Sequence, residues 1–404
     1  MIARAGLIQS PEPERQMPPQ PRAEGAALWR LGFRPFYLLA SIFAALSVPL
    51  WALQYAGWLP RPYLADPLWH AHEMLFGFAI AVVTGFLFTA VRNWTGRATP
   101  AGASLMAIAA LWLAGRVLVL TPFGALSAAV NTAFPVAVAI GIGIPLVRSG
   151  NRRNYFFIVL LLVLALAILA THLAQLGAIT LPPRLGIGVA LDVVLFIMAV
   201  MAGRVIPMFT NNGVPGARAR RQPLLEKLAL GGIIALFAAD LLQATGPAVA
   251  GLLAFLAVVH AARLALWEPW KTLRTPLVWI LHAAYFWIPV HLALRALVEL
   301  DLVASPLATH ALTIGAIGGL ILGMMTRTAR GHTGRILAAD GFDVTSYVLV
   351  LAAALVRLGG PLVAPRAYIE TLLCSALLWS AAFAIYAVRY WRPLTRPRAD
   401  GKPL

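Results

Sequence analysis

The stretch Trp69-His-Ala-His-Glu-Met74 opens an apolar run that continues without a further charged residue to Val91. Two imidazoles and a carboxylate at the mouth of a membrane-spanning helix are costly to dehydrate, so such groups are rare in spans and usually functional. Neutral imidazole is the commonest metal ligand in proteins, and both haem iron and copper accept it. The stretch therefore predicts a metal site or, as the alternative, interfacial histidines hydrated at the level of the lipid headgroups.

Helix geometry limits what this pair of histidines can bind. On a regular helix His70 and His72 point about 200° apart, so one metal ion cannot take both rings. Either the helix begins irregularly here, or the two rings serve different partners. Met74, one turn beyond His70, adds a thioether that suits Cu(I).

The composition of the chain indicates a polytopic helical membrane protein. Of its 404 residues, 60% are hydrophobic and only 12% are charged, which leaves too little polar surface for a soluble fold. The net charge of +17 comes mainly from arginines in short clusters between apolar runs, so we interpret it as membrane topology and not as a nucleic-acid surface. The single cysteine, Cys374, excludes an internal disulfide, a cysteine-based metal site and covalently attached c-type haem.

Proline, glycine and charged residues divide the apolar sequence into about twelve spans of roughly twenty residues each. The predicted spans are 31–56, 69–91, 102–120, 127–147, 155–178, 184–206, 226–245, 248–267, 276–298, 305–325, 343–361 and 367–391. Arginine-rich loops alternate with loops that have few basic residues, which places the arginine-rich loops and both termini in the cytoplasm. We predict one all-α transmembrane bundle at 28–392, between a disordered N-terminal tail at 1–27 and a cytoplasmic C-terminal tail at 393–404.

The predicted topology sorts most histidines by depth into two groups. The outer group consists of His70, His72 and His310, and the inner group of His260, His282 and His332. His172 and His291 have no polar or soft neighbour one helical turn away, which is typical of hydrogen-bonded core histidines. His332 belongs to a predicted inner loop that either is exposed to solvent or folds back into the mouth of the membrane domain.

A glycine stripe follows His310. Gly315, Gly319 and Gly323 are spaced four residues apart, so they share one helical face. Such a stripe lets another helix or a flat macrocycle approach the backbone closely.

The spans also contain an internal proline and two isolated charges. Pro207 predicts a bent or broken end of the sixth span, next to a polar cavity. Arg116 and Asp192 lie in the outer halves of their spans, and each is costly alone. They are expected either to pair with each other or to act at a site.

Arginines near the ends of spans are candidate contacts for an anionic group such as a haem propionate. The candidates are Arg30, Arg34, Arg116 and Arg204. Arg30 and Arg34 share a helical face among aromatic residues, and their alternative role is to anchor the first span in the headgroup layer.

With these residues laid out, the chain resembles the NnrS family. The resemblance rests on Trp69-His-Ala-His-Glu-Met-Leu-Phe-Gly77, Gly203-Arg-Val-Ile-Pro-Met-Phe-Thr210, Trp279-Ile-Leu-His282, Leu31-Gly-Phe-Arg-Pro35 and, above all, the stretch from His310 through Gly-His-Thr-Gly-Arg335. It implies a bacterial inner-membrane protein of about twelve helices that contains haem and copper and is associated with nitric oxide metabolism and resistance to nitrosative stress. The resemblance identifies neither the reaction nor the metal that each histidine holds.

We therefore expect haem b and copper, held by intramembrane histidines, in a protein that reduces or detoxifies nitric oxide. The expected centre uses His310 with His70 or His72 as haem ligands, and the remaining histidine with Met74 near copper. Glu73 is the expected proton donor, because N–O chemistry requires protons. The inner histidines are expected to form a second site, either the copper site or a haem that receives electrons from an unknown donor such as a quinol.

Two other functions use the same residues. In a transporter for metals or small solutes, the histidines and methionines would mark an ion path, and a proline-broken helix suits that class. A haem-based sensor, or a protein that sequesters nitric oxide, would bind the gas without turnover. The optical spectrum and the metal content of the purified protein distinguish these functions.

Overall fold

The computed structural model describes residues 27–58, 64 and 67–402, and these residues form helices and connecting loops without β-strands. We number the helical segments α1 to α12. Their bounds are Phe33–Tyr55 (α1), Leu68–Thr95 (α2), Ala103–Leu118 (α3), Gly124–Arg148 (α4), Phe156–Gln175 (α5), Pro183–Gly213 (α6), Pro223–Leu241 (α7), Pro247–Ala265 (α8), Pro276–Val298 (α9), Ser305–His332 (α10), Gly341–Val363 (α11) and Tyr368–Thr395 (α12).

The helices confirm the predicted fold class, a polytopic all-α membrane bundle. In the described part of the chain, ten helices are long and apolar enough to cross a membrane. The exceptions are α3, which is apolar but spans only Ala103–Leu118, and α7, which carries Glu226, Lys227 and Asp240. Both take their places in the predicted order, so the helices still alternate between two ends of the bundle.

Hydrogen bonds between loops define these two ends. At one end, Gly102 donates its backbone N–H to the carbonyl of Trp29, and the amide of Arg220 donates to the carbonyl of Leu266. We call this end the arginine-rich face, because the loops with the predicted arginine clusters meet there. At the other end, the opposite face, the Gly246 amide donates to the carboxylate of Glu299.

Two predicted boundaries differ in the structure. Helix α6 continues through Pro207 to Gly213, so of the two predicted alternatives, a bent or a broken end, the broken end is excluded. Helix α10 extends to His332, which is therefore helical and not part of a loop. The predicted N-terminal tail lies almost wholly outside the described residues.

The predicted C-terminal tail packs against the bundle as far as Asp400. Helix α12 continues to Thr395, and the segment after it returns to the end of α10. There the Ala399 amide donates to the Thr333 carbonyl at 2.9 Å, and Arg398 donates to the His332 carbonyl at 3.2 Å.

Two helices contain π-helical segments immediately after outer histidines. In α2 the segment is Glu73–Ala79, directly after His72, and in α10 it is Ala311–Gly318, directly after His310. A π-helical turn contains an extra residue, so it changes which way the preceding side chains point relative to the rest of the helix. Such segments are rare and are frequent at functional sites.

The glycine stripe of α10 serves helix packing. Gly315 lies beneath the indole of Trp287, and a Cβ atom at Gly319 would stand 2.7 Å from the Cβ of Ala284. Gly323 meets side chains of the same helix, α9. The close approach of α9 fills this face, so the alternative of a macrocycle on the stripe was wrong.

Gly203 on α6 has a comparable role beside a buried ion pair. Arg263 on α8 donates from Nε and one terminal nitrogen to both oxygens of Glu226 on α7, each at 2.8 Å. A Cβ atom at Gly203 would overlap the guanidinium and stand 2.9 Å from Glu226 Oε2. Only glycine lets the ion pair pass this close to α6.

We predict that Gly203→Ala destabilises the bundle by about 1–3 kcal/mol, the usual cost of overpacking a tight core. Thermal unfolding of the purified protein in detergent measures the change. Gly188→Ala is the matched control on the same helix, since no heavy atom lies within 4 Å of its Cβ position. Equal unfolding temperatures for the two variants would contradict the packing described here.

Candidate functional site

Two buried histidines face each other near the opposite face. His72 at the start of α2 and His172 near the end of α5 both have 0% exposure, and their Nε2 atoms lie 3.1 Å apart. This contact is either a hydrogen bond between two neutral rings or the position of two ligands of one metal ion. Two imidazole nitrogens bound to a tetrahedral metal at 2.0–2.1 Å would stand about 3.3 Å apart. The observed spacing therefore fits two ligands of one ion.

Glu73 orients one member of this pair. Its Oε1 atom lies 2.8 Å from Nδ1 of His72, so the carboxylate accepts the Nδ1 proton and Nε2 keeps its lone pair. A carboxylate behind a histidine is the usual arrangement around protein metal ligands, because it sets the tautomer and the ring orientation. Glu73 itself is 1% exposed.

Arg116 on α3 balances the buried carboxylate. It donates to Glu73 Oε1 at 2.5 Å and to the side-chain oxygen of Asn131 on α4. Asn131 in turn donates to the Ser127 carbonyl at 2.9 Å. Gly77 makes this crossing possible, since a Cβ atom there would stand 2.6 Å from the guanidinium. We call the chain His172, His72, Glu73, Arg116 and Asn131 the histidine–glutamate relay.

The predicted pair between Arg116 and Asp192 was wrong. Asp192 instead faces Arg295 on α9 at 3.8 Å, and Arg295 also pairs with Asp240. Because Arg116 is bound to Glu73 and Asn131, its guanidinium serves the relay and does not face a separate anion.

The second candidate site contains His70 and His310. The ring of His70 stacks on Trp51 of α1, with 4.0 Å between centroids, and it lies within electrostatic range of His310 and Arg357. His310 donates Nδ1–H to the Pro306 carbonyl at 2.7 Å. This backbone contact leaves Nε2 of His310 as the nitrogen with a free lone pair, the arrangement that orients many metal-binding histidines.

The outer group is thus divided between two sites. The two rings have different partners: His70 faces Trp51 and His72 faces His172. Helix α2 also becomes irregular directly after His72. Both alternatives stated for this pair of histidines therefore apply. Met74 packs against the hydrophobic core. His172, which we predicted to be a core histidine, lies next to His72 in the position predicted for Met74.

The three inner histidines have separate contacts. His260 Nδ1 contacts the Tyr285 hydroxyl at 2.6 Å, His282 Nε2 contacts the Thr210 hydroxyl at 2.8 Å, and the His332 ring packs on Phe33. Within the described residues, no group of three or more His, Cys, Asp or Glu side chains is placed to hold a metal ion. Each inner histidine has a contact of its own, and a second site among them stays a prediction; each outer site supplies two imidazoles at most.

The remaining arginine candidates lie at the arginine-rich face. Arg34 donates to the carbonyls of Leu394 and Arg396, Arg204 donates to Asn154 at 2.9 Å, and Arg30 is exposed. All three are at the other end of the bundle from His70 and His310. They cannot be propionate contacts for a haem at the opposite face, and Arg357 is the arginine that lies near His70.

Comparison with known proteins identifies the family. The family model described as NnrS protein matches residues 27–398, which include all twelve helices and both histidine sites. The chain belongs to the NnrS family. This membership makes it a membrane protein related to nitric oxide. A search of curated proteins found no match.

Sequence reasoning missed two residues of the relay. His172 and Asn131 lie on helices far from the Trp69–Met74 stretch in the chain, and neither belongs to a local motif. One signal was present: positions 172 and 116 both fall in the outer halves of the predicted spans 155–178 and 102–120, which is the depth of His72. Depth alone did not reveal which side of each helix they occupied.

We predict that Arg116→Met lowers the free energy of unfolding by about 3–5 kcal/mol, because it leaves the Glu73 carboxylate buried without a cation. Adding Glu73→Gln should recover most of this loss, since the neutral amide needs no counter-charge. Unfolding of the purified single and double variants measures the coupling. Arg204→Met is the matched control; its partner Asn154 is neutral, so a loss of about 1 kcal/mol is expected. Strictly additive losses for Arg116 and Glu73 would contradict the relay.

Proposed function

We propose that the protein binds transition metals at the two histidine sites of the opposite face and reduces nitric oxide there. The observation that carries the proposal is the 3.1 Å spacing of the His72 and His172 Nε2 atoms inside a bundle that buries both rings. Nitric oxide is small and apolar and concentrates in lipid, so a buried site between helices is accessible to it.

We assign copper to His72 and His172. Imidazole is a ligand that copper accepts, and the Glu73 contact leaves the His72 lone pair directed at His172. Two protein ligands leave coordination positions for a substrate. This assignment replaces Met74 with His172 as the partner of the second outer histidine.

We assign haem b to His70 and His310. Both are imidazoles at the opposite face, on α2 and α10, and the backbone contact of His310 leaves its Nε2 atom as the nitrogen that would bind the iron. The single cysteine, Cys374, means that the haem would be held without a thioether link. Arg357 near His70 is the candidate for a propionate contact.

Bound haem iron and copper would supply the redox chemistry and the affinity for nitric oxide. The chain's own residues would control protons and orientation. Reduction of two nitric oxide molecules to nitrous oxide and water consumes two protons and two electrons. Glu73 Oε1 and His72 Nδ1 share a proton across 2.8 Å, so this pair is our candidate for holding a proton next to the site.

Cofactor analysis of histidine variants tests the assignment. We predict that His70→Ala and His310→Ala lose the Soret band and pyridine-haemochrome signal but retain copper, while His72→Ala and His172→Ala lose copper but retain haem. His291→Gln is the control, because His291 is buried near the same face and bonded through Nδ1 to the Ala308 carbonyl. Loss of both cofactors in every variant, the control included, would indicate misfolding and not ligation.

The same sample distinguishes the alternative functions. Nitric oxide consumption under a supply of electrons supports the proposal. A haem protein that binds nitric oxide stoichiometrically without consuming it would be a sensor or a sequestering protein. A colourless protein that moves metal ions into vesicles would be a transporter, and the proposal would fall.

Glu73 is expected to act on copper through His72. We predict that Glu73→Gln weakens copper binding about 10- to 100-fold, which is the usual effect of losing a carboxylate behind a metal-binding histidine. Haem content should stay unchanged, because Glu73 contacts neither His70 nor His310 in the described hydrogen bonds. Copper titration of the metal-free protein measures the affinity. An unchanged copper affinity would show that Glu73 does not support the copper site.

A further inference from the structure

Arg204 on α6 lies at the arginine-rich face, where its partner is neutral. Its Nη1 atom donates to the side-chain oxygen of Asn154 at 2.9 Å, and no ion pair of the described residues includes Arg204. The guanidinium carbon stands 6.0 Å from the ring centre of Trp94 and 5.8 Å from that of Phe156. Trp94 lies next to the last residue of α2, and Phe156 is the first residue of α5. Arg204 is therefore level with the ends of these two helices.

Two other arginines add positive charge near Arg204. Arg153 and Arg221 are exposed and lie within electrostatic range of its guanidinium. Arg221 contacts Glu226 at 3.0 Å, but Arg263 already binds both oxygens of that carboxylate. One carboxylate thus serves two guanidinium groups and cannot neutralise both. Because like charges repel one another strongly at the edge of a medium of low dielectric constant, the cluster favours a bound anion.

The donors of Arg204 are accessible to such an anion. Its Nε and Nη2 atoms donate to no described residue, yet neither is enclosed by protein, whereas the corresponding atoms of Arg34 are. These two nitrogens form the planar fork with which arginine binds two oxygens of one phosphate group. The Asn154 contact and the two aromatic rings hold the guanidinium in place, so the fork is ordered before an anion arrives.

The surface next to the cluster is apolar and faces lipid. Val159 and Leu166 are 58% and 65% exposed, and they share one side of α5 that begins a turn beyond Phe156. In a membrane-spanning bundle such a strip contacts acyl chains. Trp94, at the end of its helix, is typical of the depth of the lipid headgroups. An anion bound to Arg204 therefore lies where a phospholipid has its phosphate and beside the path of its acyl chains.

We propose that Arg204 binds the phosphate group of an anionic phospholipid whose acyl chains lie along α5. Arg204 donates from Nε and Nη2, and Arg153 contributes a second positive charge. A zwitterionic phospholipid has the same phosphate, but Arg153 and Arg221 would repel its cationic group. The site should therefore prefer lipids with a net negative charge, as basic pockets at the ends of spans do. It lies at the other end of the bundle from both histidine sites, so it does not depend on the proposed metals.

Native mass spectrometry of the full-length protein tests the proposal, because it resolves successive lipid adducts. The detergent-purified protein is titrated with phosphatidylglycerol and, separately, with phosphatidylcholine of the same acyl chains, and the first adduct gives each dissociation constant. We expect the first phosphatidylglycerol to bind about tenfold more tightly than the first phosphatidylcholine, as one or two arginines near a lipid surface would give. Arg204→Gln should remove most of this preference.

Two further variants distinguish the site from the general charge of the chain. Arg274→Gln removes an exposed arginine from the loop before α9. It lowers the net charge as much as Arg204→Gln does and should leave the preference unchanged. Asn154→Asp retains Arg204 but places a carboxylate where the amide oxygen now accepts from it. The guanidinium is then neutralised by the protein, so this variant should also lose the preference.

Equal affinities for the two lipids in the unaltered protein would overturn the proposal. An equal loss of preference in Arg204→Gln and Arg274→Gln would do the same, since it would assign the preference to net charge. Inorganic phosphate is the third probe. If it displaces phosphatidylglycerol at the lipid's own concentration, the site takes a soluble anion and not a lipid.

Discussion

The structure depends on one constraint: inside a hydrocarbon slab, a polar side chain must find its partner within the protein. The histidine–glutamate relay meets this constraint with groups from four helices, since His172, His72, Glu73, Arg116 and Asn131 bond in sequence between α5, α2, α3 and α4. Each member is buried. The relay therefore connects helices α2 to α5. It does so at the point where the Nε2 atoms of His72 and His172 meet.

A second polar network at the arginine-rich face shows how such groups behave when they are structural. Arg263 holds both oxygens of Glu226 and also donates to Tyr285, which contacts His260. Three of the five guanidinium N–H donors meet acceptors in this network. At the opposite face, the His72 and His172 rings meet through their Nε2 atoms at 3.1 Å, and the Pro306 contact of His310 leaves its Nε2 lone pair for a ligand.

Glycine and π-helical turns make these arrangements sterically possible. Gly77 and Gly203 allow guanidinium groups to cross the helices α2 and α6. The π-helical segments after His72 and His310 change the facing of the histidines relative to the apolar stripes below them. Helices α2 and α10 can therefore pack along their length with one face, while the histidines in their first turns point in another direction.

The sequence by itself determined the fold class, the order of the helices and the depth of each polar residue, because hydrophobic length and arginine placement depend only on local composition. It also carried the motifs of the NnrS family. Only the tertiary structure decided that His72 meets His172, that Arg116 pairs with Glu73 and not Asp192, and that the inner histidines separate. Depth follows from distance along a helix, whereas partnership depends on how each helix is rotated and which helices become neighbours. Those two properties arise from packing among all twelve helices, and no local pattern records them.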